Sequence, residues 1–342
     1  MKRTLFAIML AFCVLLGACN PASTANESSS GQESFSSESV GGESSRETNS
    51  VVNESVFGHW KFQNDEAYYI GDIDMDDLRF IDLSGNGNDM VVEVEGYGDL
   101  LDTFTWDSGV SGDGSTSLRF NNTFTLAKSV DPYLKSQTTY SGAYVSGKYL
   151  KTCADAPMAF INGESEWTIE IVFKISSEWN NVYNRYTGIF SRQGVDGQKD
   201  EPYFSMAIAA ADDSVGKLGT ENPVDLQLVH INSLEQVTNS EFDLKIFAEK
   251  WVHYMVVGDG ETITVYVNGQ QAYSRLIDSS LAYSDFGWEV GVGRKYGELA
   301  QSMNERHPEG LIRRLFCGSI SEIRFSAESL SVADSLWSQL ND

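Results

Sequence analysis

The chain has 342 residues, 41% of them hydrophobic, which is enough for a packed core and excludes a wholly disordered protein. Asp and Glu outnumber Lys and Arg by 49 to 24, giving a net charge of −25. An acidic surface repels phosphate groups, so nucleic acid is not expected as a partner. The length allows one large β domain or two ordinary ones.

The first predicted element is a targeting segment over residues 1–18. Two basic residues at positions 2 and 3 precede an apolar run over 5–16, which is too short to span a bilayer comfortably. The run ends in Leu-Gly-Ala before Cys19, and this pattern resembles the bacterial lipoprotein signal. The resemblance implies lipidation of Cys19 and anchoring at the membrane through lipid alone. Asn20 favours the outer membrane or cell surface over the inner membrane. The alternative is an ordinary secretory peptide in which Cys19 has no role.

A disordered tether is predicted to follow the lipidated cysteine, over residues 19–55. Residues 20–55 contain twelve serines and six glutamates but one arginine, and Phe35 is the one aromatic residue. Such a segment cannot bury enough apolar surface to offset the entropy of ordering it. We therefore expect a spacer that holds the domain 56–342 away from the membrane.

The domain reads as strand after strand. Residues 167–175 alternate apolar and polar side chains with a period of two, which predicts a half-buried strand. The unbroken apolar run 251–257 predicts a central strand covered on both faces. Asp259-Gly260 and Asn268-Gly269 then predict two hairpin turns, which make a meander with strands 262–267 and 270–276. Further strands are predicted at 57–63, 78–82, 89–94, 116–126, 187–192, 203–209, 224–231, 288–294 and 318–326.

This pattern predicts an all-β fold, a two-sheet antiparallel β-sandwich, with one short C-terminal helix over 327–340. A dozen strands without alternating helices favour two packed antiparallel sheets.

Several motifs in this order resemble the laminin-G-like, concanavalin-A-like lectin and glucanase family. They are Phe57-Gly-His-Trp-Lys-Phe62, the turn 81–88, Ser117-Leu-Arg-Phe120, the strand 167–173, Trp251-Val-His-Tyr254 with Val265-Tyr-Val-Asn-Gly269, and the strand 318–325. The resemblance covers residues 56–335 and implies a jelly roll. It leaves the function open, because this fold carries binding proteins, adhesins and enzymes.

Three long stretches depart from that pattern, at 131–156, 176–202 and 296–315. Long loops on a rigid sandwich often carry function. The second stretch and its flanks contain aromatic rings that can stack on sugars beside amides and a guanidinium. The predicted ligand-binding residues are Trp179, Tyr183, Tyr186, Arg192 and Tyr203. The alternative is that these rings belong to the core.

One structural Ca²⁺ is the predicted cofactor. The turn 82–88 is rich in glycine and supplies oxygen ligands from Asp82, Asn86 and Asn88. Related jelly rolls often hold a structural calcium. The alternative is an Asx turn, in which these side chains bond their own backbone.

Two cysteines remain in the exported domain once Cys13 leaves with the signal and Cys19 takes lipid. In an oxidising compartment Cys153 and Cys317 predict one disulfide. The alternative is two unpaired thiols.

No catalytic residue is predicted. The jelly-roll glucanases carry a Glu-x-Asp-x-x-Glu run that is missing here, and no zinc or serine-hydrolase motif is present. The sequence therefore favours non-catalytic recognition of carbohydrate or another extracellular ligand at the cell surface. The alternatives are a glycan-active hydrolase or lyase on the same fold, and a structural component of a surface assembly.

Overall fold

The computed structural model describes most of the domain and none of the targeting segment. Residues from Ser50 to Asp342 form one compact unit. The predicted signal peptide, Cys19 and the tether up to residue 54 lie outside the described residues. No helix in the described part is long and apolar enough to cross a membrane. The described residues are 55–95, 102–111, 114–136, 146–153, 156–193, 202–212, 214–284, 286–293, 295–296, 311–312 and 314–341.

Strands make up most of the regular secondary structure in the described chain. In chain order they are β1 (Val56–Lys61), β2 (Tyr69–Ile70), β3 (Arg79–Phe80), β4 (Met90–Glu95), β5 (Phe104–Ser108), β6 (Thr116–Asn121), β7 (Gly147–Thr152), β8 (Glu166–Ile175), β9 (Thr187–Arg192), β10 (Phe204–Ile208), β11 (Pro223–Val224), β12 (Leu226–Ile231), β13 (Val237–Glu241), β14 (Ile246–Phe247), β15 (Trp251–Asp259), β16 (Thr262–Val267), β17 (Gln270–Leu276), β18 (Trp288–Val290), β19 (Lys295–Tyr296), β20 (Leu311–Ile312) and β21 (Cys317–Ser326).

Two large antiparallel sheets form a β-sandwich, which confirms the predicted fold class. The eight-stranded sheet has the order β17-β16-β15-β8-β21-β6-β5, and β1 pairs with the second half of β21. The nine-stranded sheet has the order β13-β12-β10-β9-β18-β7-β4-β3-β2. One contiguous hydrophobic core contains inward side chains of both sheets, including Ile171 of β8 and Phe190 of β9.

β8 shows why the two-residue period specifies this packing. Trp167, Ile171 and Ile175 belong to the core, whereas Glu170 and Lys174 alternate with them on the opposite face of the sheet. That opposite face is also covered, so β8 is buried on both faces and is not the half-buried strand that the pattern predicts. β15 pairs with β8 along its whole length and is buried on both faces, as its apolar run predicts. The predicted β15-β16-β17 meander is also confirmed, with positive φ angles at Gly260 (94°) and Gly269 (73°) in its two turns.

The helices differ from the prediction at two places. The strand predicted over 116–126 ends at Asn121, because Thr123 caps α1 (Phe124–Val130) by accepting a hydrogen bond from the Leu126 N–H. A second short helix, α2 (Pro132–Lys135), follows. The predicted helix 327–340 is shorter, with a 3-10 turn at Val332–Asp334 and α3 (Leu336–Asn341). Its first residues bond to β8 instead, where Thr168 Oγ1 accepts from the Leu330 N–H at 2.9 Å.

The predicted disulfide is wrong: the structure contains no bond between Cys153 and Cys317. Cys317 begins β21 in the eight-stranded sheet, and Cys153 follows β7 in the other sheet. The Gly147 end of β7 lies beside Asn122 and Leu315, near Cys317. Cys153 is six residues farther along that strand, roughly 20 Å away at ~3.3 Å per residue. A disulfide needs Cα atoms within about 7 Å.

Candidate functional site

The aromatic cluster predicted within 176–202 lies largely inside the protein. Trp179 has no exposed surface and belongs to the main core. Tyr183 is 1% exposed, packs against Phe124 with 5.5 Å between ring centroids, and donates a hydrogen bond from its hydroxyl to the Ser146 carbonyl. A ring that stacks on a sugar must be accessible. Trp179 and Tyr183 therefore cannot form the rim of a binding face as predicted.

Arg192 is also unavailable to a ligand, although it is charged. It is 1% exposed, and its guanidinium donates to the Ile161 carbonyl at 2.7 Å and the Ser284 carbonyl at 3.1 Å. It also lies 5.5 Å from the ring of Trp288. Arg192 therefore has a structural role inside the protein, because its guanidinium donates hydrogen bonds to backbone oxygens.

The two remaining predicted residues, Tyr186 and Tyr203, are half-buried. The guanidinium of Arg314 lies 5.0 Å from the Tyr186 ring. The Tyr203 N–H donates to the Arg192 carbonyl at 2.9 Å, as in an ordinary continuation of the β9–β10 pairing. The five predicted residues therefore do not form one accessible face. Parts of the three predicted insertions (137–145, 154–155, 194–201 and 297–310) lie outside the described residues.

The turn 82–88 does not fit a calcium ion. Oδ1 of Asp82 accepts from the N–H groups of His59 and Ser84, both at 3.0 Å, and Oδ2 accepts from the Ser84 hydroxyl and the Asn88 N–H. Hydrogen-bond donors thus occupy the sides of the carboxylate from which a cation would bind. Asn86 donates its amide to the Val56 carbonyl, and Asn88 donates to the Phe57 carbonyl. The Asx-turn alternative describes this geometry.

A row of polar and aromatic side chains crosses the outer face of the eight-stranded sheet. The strand register aligns Thr105 on β5, Arg119 on β6, Ser319 on β21, Lys174 on β8 and Trp251 on β15. We call these five residues the outer row. Adjacent strands are ~4.8 Å apart, so the row spans about 19 Å. Residues next to them in sequence, among them Phe104, Phe120 and Phe173, point into the core, so the row faces outward.

Asp107 lies beside the outer row and connects its cations. Its Oδ2 is 3.0 Å from Lys174 Nζ and 3.5 Å from Arg119 Nη1, and it accepts from the Ser319 hydroxyl at 2.7 Å. Partial burial alone would raise the pKa of Asp107, but the hydrogen bonds from Ser319 and Lys174 outweigh it and lower the pKa to about 2. Asp107 is therefore an ionised acceptor at neutral pH and holds no proton to give as a general acid.

Trp251 is the aromatic member of the row and is half-buried. Lys174 Nζ lies 5.1 Å from its ring centroid. The Arg119 side chain is 27% exposed and is held by Nη2 donating to the Ser176 hydroxyl at 3.1 Å and Nε donating to Asn121 Oδ1 at 2.8 Å. A partly exposed ring beside oriented donors and a fixed acceptor can stack on a sugar ring and bond its hydroxyls.

The C-terminal segment covers a neighbouring part of the same face. The Leu336 N–H donates to Glu170 Oε1 at 2.8 Å, and the Trp337 ring stacks on His253 with 6.1 Å between centroids. His253 Nε2 is 3.0 Å from Glu170 Oε1, and both side chains are fully buried. The outer row lies beyond this contact. Thr105, Arg119 and Trp251 are half-buried and reach the surface, whereas Ser319 and Lys174 are buried beneath them. In the described residues no cluster of three or more His, Cys, Asp or Glu side chains is arranged to hold a metal.

Sequence reasoning missed the outer row because register alone creates it. Its members come from five strands, and Thr105 and Ser319 are separated by most of the domain. The one local signal was the alternation of 167–175, which already placed Lys174 on the outward face. The apolar run 251–257 predicts a buried Trp251, although this residue stands at the first position of its strand.

No family model matches this chain, and no curated protein matches it. Solved structures with a similar fold include domain 4 of AbnA, a GH43 extracellular arabinanase from Geobacillus stearothermophilus, in complex with arabinotriose (13% identity, 84% of this chain, 98% of that chain, TM-score 0.46). Another is the binding domain of Paraclostridial Mosquitocidal Protein 1 (11% identity, 85% of this chain, 52% of that chain, TM-score 0.47). A third is the CBM40 of the Ruminococcus gnavus IT-sialidase bound to α2,3-sialyllactose (16% identity, 54% of this chain, 88% of that chain, TM-score 0.37).

Proposed function

We propose that this chain is a non-catalytic carbohydrate-binding protein of the cell surface. The observation that carries the proposal is the partly exposed Trp251 ring in one row with the partly exposed Arg119. Lys174, between them, contacts both the Trp251 ring and Asp107. The ring supplies an apolar face for the C–H side of a sugar. The half-buried Arg119 and Asp107 supply a donor and an acceptor for hydroxyl groups, and the buried Lys174 holds the Asp107 carboxylate in place.

The same geometry favours binding over hydrolysis. Glycoside hydrolysis requires a carboxylic acid that holds a proton near neutral pH and a second carboxylate across the scissile bond. The pKa of Asp107 is lowered to about 2, and the five residues of the outer row supply no second carboxylate. The outer row and Asp107 therefore offer contacts for a glycan and, among these described residues, no protonated carboxylic acid for cleavage.

The surface location in this proposal rests on the sequence. Lipid on Cys19 anchors the protein, and the Ser- and Glu-rich tether 19–55 places the sandwich beyond the membrane. In this arrangement a binding face on the sheet is free to meet extracellular glycans.

A glycan array with the purified protein, followed by calorimetric titration of the positives, tests the proposal. Trp251→Ala is expected to weaken binding roughly 5- to 150-fold, because a stacked aromatic ring contributes about 1–3 kcal/mol by analogy with base stacking. Trp251→Phe keeps a ring and should lose less. Tyr283→Ala, which removes a ring that is 61% exposed outside the outer row, is the matched control.

Four outcomes would contradict the proposal. The first is an array without positives, and the second is unchanged affinity in Trp251→Ala at an unchanged melting temperature. The third is release of reducing sugar from an array positive, which would indicate the hydrolase alternative. Equal losses in Trp251→Ala and Tyr283→Ala would also count against a site at the outer row.

A further inference from the structure

A concave site lies at one edge of the sandwich, away from the outer row. Its walls are the β12–β13 turn with Leu234, the start of β13 with Val237, the β15–β16 turn with Glu261, and the end of β17 with Leu276. We call it the edge cleft. Its volume is about 650 Å³, within the range of ligand sites in proteins.

The rim of the edge cleft is unusually apolar for an exposed surface. Eight large apolar side chains are exposed among the described residues, and three of them line this cleft. Leu276 is 82% exposed, Leu234 65% and Val237 48%. Single exposed apolar residues need no explanation, but a group around one concavity is typical of a surface that binds another molecule.

The walls of the cleft are held in place by contacts between the two sheets. β13 and β17 are the terminal strands of their sheets. Arg275 Nη1 donates across the gap to the Val237 carbonyl at 3.1 Å and to Thr238 Oγ1 at 3.2 Å. The outer edge of β17 has no partner strand among the described residues, so its main-chain groups are available to an extended chain.

The charge of the cleft selects the sign of its ligand. Glu261 and Asp278 line it, and the cation in its lining, Arg275, already donates to oxygens of β13. The side-chain and backbone hydrogen bonds from Ser280 hold the pKa of Asp278 below its usual value, so this carboxylate is ionised at neutral pH. With a net charge of −25 on the chain, a basic ligand is favoured.

We propose that the edge cleft binds an extended basic peptide segment of a partner protein, with aliphatic side chains against Leu234, Val237 and Leu276 and basic flanks facing Glu261 and Asp278. The aliphatic lining fits branched side chains, and the unpaired edge of β17 fits an extended backbone. The proposal is independent of glycan binding at the outer row, because the two sites share no residue.

Fluorescence anisotropy with two labelled peptides tests this inference on the full chain. The probe is Lys-Val-Leu-Val-Leu-Lys, and its acidic twin is Glu-Val-Leu-Val-Leu-Glu. The basic peptide should bind at least tenfold more tightly than the twin, and the difference should shrink in 0.5 M salt as screening increases. Trp251→Ala should leave this binding unchanged.

Variants connect the binding to the cleft. Leu276→Ser should weaken the basic peptide about tenfold, because a Leu contact is lost from a largely exposed position that the fold does not need. Glu261→Gln with Asp278→Asn should weaken it by a similar factor and remove most of the salt dependence. Ile70→Ser, at a residue 58% exposed on the far edge strand β2, should change nothing.

Several results would overturn the inference: no binding of the basic peptide, equal affinity for both peptides, or full affinity in Leu276→Ser. Equal losses in Leu276→Ser and Ile70→Ser would indicate general adhesion of apolar peptide to the surface and would also overturn it. A melting temperature of each variant within error of the parent protein excludes unfolding as the cause of a loss.

Discussion

Two tryptophans show how position within an element decides what an aromatic residue does. Trp179 lies in a loop but is fully buried, whereas Trp251 begins a core strand but keeps part of its ring exposed. Trp179 follows β8 and turns inward to fill the space between the sheets. Trp251 pairs with Lys174, whose side chain faces outward, and so must face outward too.

Trp179→Ala is expected to reduce the free energy of unfolding by about 3–5 kcal/mol, because it leaves a large cavity in the core. Denaturant unfolding monitored by circular dichroism measures this loss. Val182→Ala in the same loop, where the side chain is 50% exposed, is the control and should cost much less. Equal, small losses in the two variants would contradict the buried position of Trp179.

The contacts of Asp107 with Ser319 and Lys174 of the outer row make the stability of the fold depend on pH in the acid range. Its pKa is about 2 in the folded protein, against 3.8 for an unperturbed Asp side chain, so its ionised form stabilises the fold above pH 4. That contribution is lost as the pH falls from about 4 to 2. After allowance for solvent screening it is about 1 kcal/mol. Asp107→Asn should therefore be less stable at pH 7 and lose less stability over that interval.

Thermal unfolding between pH 7 and pH 2 checks the behaviour of Asp107→Asn. Asp74→Asn, in an exposed turn, is the control and should follow the parent protein. Parallel curves for Asp107→Asn and the parent protein below pH 4 would show that the Ser319 and Lys174 contacts do not hold this carboxylate ionised.

At the scale of elements, β8 organises both faces of its sheet. Its inward side chains fill the core, and its outward Glu170 anchors the C-terminal segment. Burial alone would raise the pKa of Glu170, but the hydrogen bond from His253 and the charge of Arg324 outweigh it and lower the pKa. Arg324 reaches the same carboxylate with Nε at 2.8 Å. The carboxylate thus links β8, β15, β21 and α3.

Glu170→Ala should destabilise the protein by about 3–5 kcal/mol, because it leaves His253 and the Arg324 guanidinium without their buried partner. The loss is measured as the free energy of unfolding in urea. Glu328→Ala, at an exposed position in the same C-terminal segment, should be close to neutral. A Glu170→Ala protein as stable as Glu328→Ala would mean that this segment is held by other contacts.

At the scale of the whole molecule, the sandwich keeps its two cysteines apart. Cys317 is 1% exposed, and burial raises the pKa of its thiol to about 12, so it is a poor nucleophile while the protein is folded. Alkylation without reduction should leave Cys317 unmodified in the native protein. After unfolding in denaturant, peptide mapping should show both Cys153 and Cys317 modified. If both cysteines stayed unmodified after unfolding, the result would support a disulfide between them and contradict this prediction.

The sandwich should also be indifferent to calcium. Backbone N–H groups and a hydroxyl already satisfy the Asp82 carboxylate, which closes the turn without a metal. The melting temperature is therefore expected to be the same in excess EDTA and in millimolar CaCl₂. A rise of several degrees with calcium would contradict this arrangement.

Local pattern was sufficient for the elements and the class of fold. The alternation in β8, the apolar run of β15 and the Gly turns that follow it were all readable, because side-chain period and turn chemistry depend on neighbouring residues. At Thr123, which caps α1, the strand pattern predicts a strand that continues past the observed end of β6. The sequence places Asp82 in a turn, but it does not show whether the Asp82 carboxylate binds a cation or accepts hydrogen bonds from backbone N–H groups.

The sequence by itself determined the acidic composition, the signal-like N-terminus and the antiparallel β architecture of this protein, since each follows from composition or local order. Only the tertiary structure decided that Trp179 fills the core, that Cys153 and Cys317 are on different sheets, and that Trp251 and Lys174 stand in one row with Arg119. The physical reason is register. Long-range strand pairing and packing decide which residues of distant strands become neighbours. No short stretch of sequence contains enough information to specify that pairing.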